Sequence, residues 1–160
     1  MRRFHYESVV AHKRKKLPHW DADHAIQFVT FSLDRANGIR FSAETAAVIV
    51  ATILHDDEHL YELLAWCVMP DHVHVVLHPM ETTVATIVKA WKSVSTRKVN
   101  TLLARTGGLW QRDYFDRLVR NSAEFEQTIE YVVTNPLKAE LFDWPFVGMF
   151  ADRIADLGWG

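Results

Sequence analysis

The stretch WCVMPDHVHVVLHP, residues 66–79, is the most informative part of the sequence for predicting the architecture. Two apolar segments flank Pro70-Asp71, a pair typical of tight turns, so the stretch predicts two neighbouring antiparallel strands. The second segment, HVHVVLH, is apolar on both faces, as is typical of a central strand. Three histidines interrupt its apolar pattern, and they require an explanation: His72, His74 and His78.

The rest of the sequence predicts the order β-α-β-β-α-β, followed by a further helix. This order is typical of an α+β fold, the ferredoxin-like split β-α-β sheet with helices on one face. Ser42 is a candidate N-cap for the first helix, and Asn121 with Glu124 is a candidate capping pair for the last. We expect Pro136 to end that last helix at Asn135. The predicted strands are 24–34, 61–69, 72–78 and, with weaker signals, 109–119; the predicted helices are 42–60, 83–106 and 121–135.

The composition is that of an ordinary globular domain: the chain has 160 residues, 49% of them hydrophobic. We predict one domain over residues 1–160, with a basic arm at 1–20 and a C-terminal tail at 146–160. The single cysteine excludes an internal disulfide bond and favours a reducing cytoplasm. No apolar run approaches the roughly 18 residues needed to span a bilayer, so we expect no membrane association.

The imidazoles at positions 72 and 74 share one face of the predicted strand, because side chains alternate along a strand. Two imidazoles on adjacent same-face positions can bind one divalent metal ion together. The alternative is a pair of hydrogen-bonded histidines on a half-solvated sheet. His78 has the same parity but lies further along, and we leave it out of the predicted ligands.

The last predicted helix, SAEFEQTIEYVVTNP, carries a tyrosine away from its apolar stripe. That stripe is Phe125, Ile129, Val132 and Val133, and Tyr131 lies roughly 145° from its centre at 100° per residue. Asn135 follows one turn later on the same side as Tyr131. A surface tyrosine and a helix-ending asparagine remain the alternative interpretation of this pair.

The two features are chemically compatible. A phenol can attack a phosphodiester when it is deprotonated and the phosphate is polarised. A divalent ion held by two imidazoles would polarise a non-bridging phosphate oxygen. Asn135 has the position for a third ligand on the tyrosine's own helix.

Four ordered blocks carry a resemblance to a known family. The segment Pro70-Asp71-His72-Val73-His74 resembles the His-hydrophobic-His motif of single-strand DNA transposases of the IS200/IS605 type, and YVVTNPLKAEL resembles their catalytic-tyrosine helix. Together, the blocks resemble the REP-associated tyrosine transposases, the domesticated branch of that family, over residues 16–146. The four blocks are LPHWDADHAIQFVTFSL, WCVMPDHVHVVLHP, LWQRDYFDRLVRNSAEFEQTIEYVVTNPLKAEL and DWPF.

The resemblance implies a ferredoxin-like nuclease in which Tyr131 attacks single-stranded DNA and forms a 5′-phosphotyrosine. His72 and His74 would hold Mg²⁺ or Mn²⁺. Insertion-sequence members place a glutamine four residues after the tyrosine, and the shorter Asn135 stands there in this chain. The implied substrates are repeated extragenic palindromes folded as hairpins. The implied protein is a monomer or homodimer, cytoplasmic and associated with the nucleoid.

Phosphate contacts are expected from two clusters of cations and from the last strand. Arg117 and Arg120 project from that strand near Tyr131, and Trp110 is either a core residue or a platform for an unpaired base. The cation clusters are the arm, with Arg2, Arg3, Lys13, Arg14, Lys15 and Lys16, and the polar face of the long helix, with Lys89, Lys92 and Arg97.

A rival nucleophile is Tyr114, which, unlike Tyr131, has no amide side chain four residues later in the sequence.

The sequence leaves three functions open. The first is an enzyme that cleaves and rejoins single-stranded DNA through Tyr131. The second is a metal-dependent nuclease that activates water, in which Tyr131 is structural. The third is a hairpin-binding protein without turnover, although the presence of His72, His74 and Tyr131 together argues against it.

Overall fold

The computed structural model describes residues 25–157, which form an open antiparallel sheet of five strands in the order β4-β1-β3-β2-β5, with four helices. A 3-10 turn at Arg35–Asn37 follows β1. The strands are β1 (Gln27–Ser32), β2 (Tyr61–Val68), β3 (His72–Pro79), β4 (Phe115–Leu118) and β5 (Val147–Met149). The helices are α1 (Ala43–His55), α2 (Val84–Leu103), α3 (Ser122–Lys138) and α4 (Ala151–Ala155).

The first four strands have the predicted ferredoxin-like arrangement, with β3 at the centre of the sheet. β3 pairs with β1 on one side and β2 on the other, and its side chains are buried from Val73 to Pro79. β1 and β2 flank this strand and both contribute to the two faces of the sheet: Val29 and Leu63 are buried on one face, and Phe28 and Leu64 on the other. None of the helices within residues 25–157 is long and apolar enough to cross a membrane.

The sheet separates two hydrophobic cores. α1 and α2 cover one face, where Ile49 and Trp91 pack against residues such as Val75. α3 covers the other face, where Phe125 and Val132 belong to the second core. The predicted pair of helices on one face is confirmed, and α3 lies on the opposite face, the face to which His74 also belongs.

An extra residue in β2 lets one strand serve both cores. Leu63 pairs with Leu77 but Ala65 pairs with Val76, so Leu64 is a bulge between them. Before the bulge Leu63 joins the core under α1 and α2, whereas Leu64 and Ala65 both join the core under α3. The bulge therefore explains why β2 is apolar without a regular alternation.

α3 does not end at Asn135 as predicted. It continues to Lys138, and Pro136 is buried inside its last turn. Proline lacks an N–H and so removes one intrahelical hydrogen bond, but the residues after it can still bond to earlier carbonyls. The expectation that Pro136 stops the helix is wrong: the proline is buried, and the Ala139 N–H after it bonds to the Asn135 carbonyl at 3.2 Å. The N-cap at Asn121 is confirmed: its Oδ1 accepts the N–H of Glu124 at 2.9 Å.

Several other boundaries differ from the prediction; α1, for instance, ends at His55 instead of residue 60. The predicted strand 109–119 is a strand only at Phe115–Leu118, and Trp110 makes a single bridge to Leu33. The loop between them is held by the Lys92 side chain instead of a strand ladder. α2 ends at Leu103, where Ala104 takes a left-handed conformation, and Leu102 in its last turn is 45% exposed. The last α2 residue in the core is Val99, so the final turn of the helix lies outside that core.

The predicted C-terminal tail contains two elements that the sequence did not indicate. β5 pairs with the outer edge of β2, and Gly148 lies against the Trp66 ring. α4 follows at once, and its Arg153 donates to both carboxylate oxygens of Asp57, at 2.8 and 2.9 Å. β5 thus covers the β2 edge of the sheet, and Arg153 links α4 to Asp57 in the segment after α1.

Candidate active site

The register of the sheet places the chemically important side chains in rows on the α3 face. Ser32 pairs with His72, and Thr30 pairs with His74. Because β3 alternates, His72 and His74 point to the same face, with ring centroids 4.7 Å apart. The structure therefore confirms that the two imidazoles predicted from the His-x-His pattern form a pair.

Each imidazole is held through its Nδ1 atom. Nδ1 of His72 is 2.7 Å from Oδ1 of Asp71, and Nδ1 of His74 is 2.7 Å from Oγ1 of Thr30. The hydrogen bond to His72 lowers the pKa of the Asp71 carboxyl, which therefore remains ionised at neutral pH. When Nδ1 carries the proton of a neutral imidazole, Nε2 presents its lone pair to a metal ion or substrate.

The chemistry of His74 fits a metal ligand. Its Nε2 is buried and has no hydrogen-bond partner among the described residues. Burial, with a smaller effect of neighbouring His72, lowers the His74 pKa to about 4, so the ring is neutral at physiological pH. A buried polar atom without a partner is costly in a folded protein, and a bound cation would satisfy it.

Tyr131 lies beside His74. Its ring centroid is 5.3 Å from that of His74, and the side chain is 43% exposed. The ring also contacts Phe28 edge-on at 6.0 Å, while Phe28 stacks on His74 at 5.5 Å. Buried Phe28 thus supports both rings, and the tyrosine remains accessible to a substrate from solvent.

Asn135 follows Tyr131 by one helical turn and is half-buried. No hydrogen bond of its side-chain amide is found within residues 25–157. The same part of the chain contains no group of three or more His, Cys, Asp or Glu side chains that could hold a metal ion. A divalent ion bound by the two imidazole nitrogens would therefore need further ligands, and the Asn135 amide oxygen or water could supply them.

His78 is separate from this site, in agreement with its omission from the predicted ligands. It lies six residues along β3 from His72, roughly 20 Å at 3.3 Å per residue. It pairs in register with Glu62 of β2 and is buried. Strand geometry thus prevents all three histidines from binding one ion.

Tyr114, the rival nucleophile, lies against the other core. It packs on the cluster under α1 and α2, and the Lys92 ammonium is 5.8 Å from the centre of its ring. Burial and then the charge of Asp116 raise its pKa, which makes the phenolate harder to form. Tyr131 is therefore the tyrosine that lies beside the histidines.

The predicted phosphate-binding cations are distributed over different parts of the molecule. Lys89 and Arg97 are exposed on α2, on the side of the sheet opposite Tyr131. Lys92 donates to the carbonyls of Gln111, Arg112 and Asp113 at 2.8–3.3 Å, so all three of its protons are used to hold the loop before β4. The arm cations lie outside the described residues: Arg2, Arg3, Lys13, Arg14, Lys15 and Lys16.

The two arginines near β4 have different positions. The Arg117 guanidinium lies 5.5 Å from the centre of the Phe28 ring and donates to Thr128 of α3. It is therefore on the Tyr131 side of the sheet. Arg120 lies beyond the end of β4, and its backbone N–H bonds to the Glu124 side chain. Trp110 is a core residue, and its indole N–H donates to Ser95.

Sequence reasoning missed three residues of this site. Phe28 and Thr30 have the same parity in β1, but only the pairing of β1 with β3 shows that they contact His74. Lys138 lies beyond the predicted end of α3, yet its ammonium is 5.6 Å from the centre of the Tyr131 ring. The continuation of the helix through Pro136 brings it there.

Comparison with known proteins agrees with this geometry. A family model described as "Transposase IS200 like" matches residues 23–135. A Haemophilus influenzae protein described as a REP-associated tyrosine transposase is 25% identical over 122 residues, 65% of this chain and 69% of that one. A REP-associated tyrosine transposase of Escherichia coli is 26% identical over 90 residues, 54% of this chain and 53% of that one.

Two solved structures share the fold. One is a REP-associated tyrosine transposase bound to a REP hairpin, with a TM-score of 0.65 and 19% identity; the match covers 86% of this chain and 82% of that one. The other is a Deinococcus radiodurans protein described as a transposase, with a TM-score of 0.50 and 21% identity over 78% of this chain and 97% of that one.

Proposed function

Because the chain belongs to the IS200-like transposase family, whose model matches more than half of it, we propose that it cleaves and rejoins single-stranded DNA through a covalent bond to Tyr131. The observation that carries the proposal is the contact between exposed Tyr131 and buried His74, whose Nε2 lacks a partner among the described residues. A nucleophile and a metal-binding imidazole side by side are what phosphodiester transfer requires.

In the proposed reaction, the Tyr131 phenolate attacks the phosphorus of a phosphodiester in the single strand. A bond forms between the phenolic oxygen and phosphorus, and the bond from phosphorus to the 3′ oxygen breaks. The departing oxygen takes a proton and becomes a free 3′-OH, while the 5′ phosphate remains on the tyrosine. Attack by another 3′-OH reverses these changes and makes the overall reaction a strand transfer.

Mg²⁺ or Mn²⁺ is the proposed cofactor, with His72, His74 and Asn135 as its protein ligands. When bound, the ion would polarise a phosphate oxygen and stabilise the negative charge that develops there. The chain's own contribution is orientation: Asp71 and Thr30 fix the two rings, and Phe28 supports both His74 and Tyr131. Such outer hydrogen bonds hold the ligands of a metal site in place.

The proposed substrate is a palindromic hairpin of the REP type. Two relatives are named as REP-associated transposases, and the structure with the same fold was solved with a REP hairpin. The cations on both sides of the sheet suit a substrate with a folded and an unpaired part, because phosphate neutralisation supplies much of the affinity for nucleic acids. A DNA substrate would also place the protein at the nucleoid.

A denaturing gel tests the nucleophile. The protein is mixed with Mn²⁺ and hairpin DNA that is labelled at its 3′ end and carries single-stranded flanks, and labelled protein is sought. We expect a metal-dependent band for the wild type and for Tyr114→Phe, and none for Tyr131→Phe. Tyr114→Phe is the matched control, since it removes the other phenol close to β4.

The same gel separates the two alternatives. Cleavage without a protein-linked band, unchanged in Tyr131→Phe, would show a nuclease that activates water. Absence of cleavage on this gel, together with hairpin binding on a native gel that is unchanged in His74→Ala, would show a binding protein without turnover. Either result would overturn the proposed covalent reaction.

A further inference from the structure

We propose that Phe115 is a binding residue for single-stranded DNA, on which an unpaired base next to the cleaved phosphate stacks. This inference rests on the proposed function and extends it by naming a contact for the substrate. Aromatic side chains that present a free face are widely used to hold unpaired bases, because every base can stack on them.

The position of Phe115 follows from the sheet register. Phe115 pairs with Thr30 of β1, and Thr30 pairs in turn with His74 of β3. Directly paired residues lie on the same face of a sheet, so Phe115 belongs to the same row as the metal-binding candidate. This row ends at Phe115, because β4 is the edge strand.

Phe115 and Tyr131 flank the same buried ring. Phe28 contacts Phe115 at 6.5 Å and Tyr131 at 6.0 Å, in both cases with the planes close to perpendicular. Phe28 itself is buried, whereas Phe115 is 55% exposed. The site therefore presents two accessible aromatic rings on one buried support, and one of them is the proposed nucleophile.

The charge around these rings favours a nucleic acid over an apolar partner. Arg117 lies over Phe28, and Lys138 lies over Tyr131, so cations accompany the aromatic cluster on both β4 and α3. Asp116, the acidic neighbour in β4, points to the opposite face because strand side chains alternate. An unpaired nucleotide offers a π face for Phe115 and a phosphate for these cations.

Photo-crosslinking tests the contact directly. The probe is a mixed-sequence single-stranded oligodeoxynucleotide in which thymines are replaced by 5-iodouracil, irradiated with the full chain in EDTA so that no metal-dependent cleavage occurs. We expect mass spectrometry of the digested adduct to place a crosslink on Phe115. Binding of the same probe is measured by fluorescence anisotropy.

Phe142→Ala is the matched control, because Phe142 is 59% exposed but lies in the turn after α3. We expect Phe115→Ala to abolish the crosslink and weaken binding by about tenfold, Phe142→Ala to change neither, and Phe115→Tyr to restore the affinity. The inference is overturned if crosslinks map away from Phe115, or if Phe115→Ala binds the probe as tightly as the wild type. Since EDTA is present, these results do not depend on whether the covalent reaction occurs.

Discussion

At the scale of single residues, the orientation of two imidazoles is the central feature of the site. Both rings use Nδ1 for a hydrogen bond, one to a carboxylate and one to a hydroxyl. In both rings Nε2 therefore lies on the side opposite the Nδ1 hydrogen bond, where it is available to a metal ion. Thr30 is therefore a positioning residue, and its effect on a bound ion should be measurable without any DNA.

We expect Thr30→Val to weaken Mn²⁺ binding by at least about tenfold, because valine has the shape of threonine but cannot bond to His74 Nδ1. Titration calorimetry with Mn²⁺ measures the Kd, and circular dichroism checks that the fold is retained. Thr30→Ser is the control, since it keeps the hydroxyl and should bind nearly as tightly as the wild type. Equal Mn²⁺ affinity in Thr30→Val and the wild type would contradict the role assigned to Thr30.

At the scale of elements, β5 depends on a close approach between backbone and ring. A Cβ atom added to Gly148 would overlap Cζ2 of Trp66, far inside van der Waals contact. Trp66 is itself buried and contacts Phe150 at 5.4 Å, so its ring has little room to move. Glycine is thus required where β5 crosses the ring, for steric reasons rather than for backbone freedom.

We expect Gly148→Ala to lower the free energy of unfolding by about 2 kcal/mol, as is typical of overpacking in a core. Urea denaturation followed by tryptophan fluorescence measures the change. Gly108→Ala is the matched control, because a Cβ there meets no atom within 4 Å. Should Gly148→Ala be as stable as Gly108→Ala, the contact between β5 and Trp66 would be looser than described.

At the scale of the whole molecule, the two ends of the described chain are attached to the rest of the fold by different means. β1 lies inside the sheet, whereas α4 is attached through Arg153, whose guanidinium bonds to Asp57, Glu58 and the Leu63 carbonyl. The side chains of Arg153 and Asp57 are only 12% and 10% exposed. Removal of one partner from such a pair leaves a buried charge without compensation.

We expect Arg153→Met to destabilise the fold by about 3 kcal/mol, since the Asp57 carboxylate would lose its cation while remaining largely buried. Thermal unfolding by calorimetry measures the loss. Arg112→Met provides the comparison, because Arg112 is exposed on the loop before β4 and should change the melting temperature little. Similar melting temperatures for both variants would mean that α4 contributes no stability through this pair.

The sheet also organises the proposed function at this scale. Tyr131, His74 and Phe115 share one face, while Lys89 and Arg97 lie on α2 across the sheet. A substrate that contacts both sets must pass around the β4 edge or the ends of the strands. A hairpin with an unpaired flank has separate parts that could occupy the two faces.

Local patterns in the sequence are sufficient to predict most of the elements and their chemistry. The strand β1, the Pro70-Asp71 turn, the N-caps at Ser42 and Asn121 and the His-x-His pair are all predicted and are all present. These features depend on residues close together in the chain, where spacing alone determines which side chains share a face. For that reason His72 with His74, and Tyr131 with Asn135, can be recognised as pairs from their spacing in the sequence.

The contacts between elements required the tertiary structure. Phe28 and Thr30 contact His74 only because β1 pairs with β3, and Lys138 reaches Tyr131 only because buried Pro136 remains inside α3. Lys92, a plausible phosphate ligand from its sequence, instead holds the backbone of the loop before β4. The sequence by itself determined which groups could react and which faces they share within one element. Only packing decided which of them meet, because long-range pairing and burial can override local preferences for helix ends and exposure.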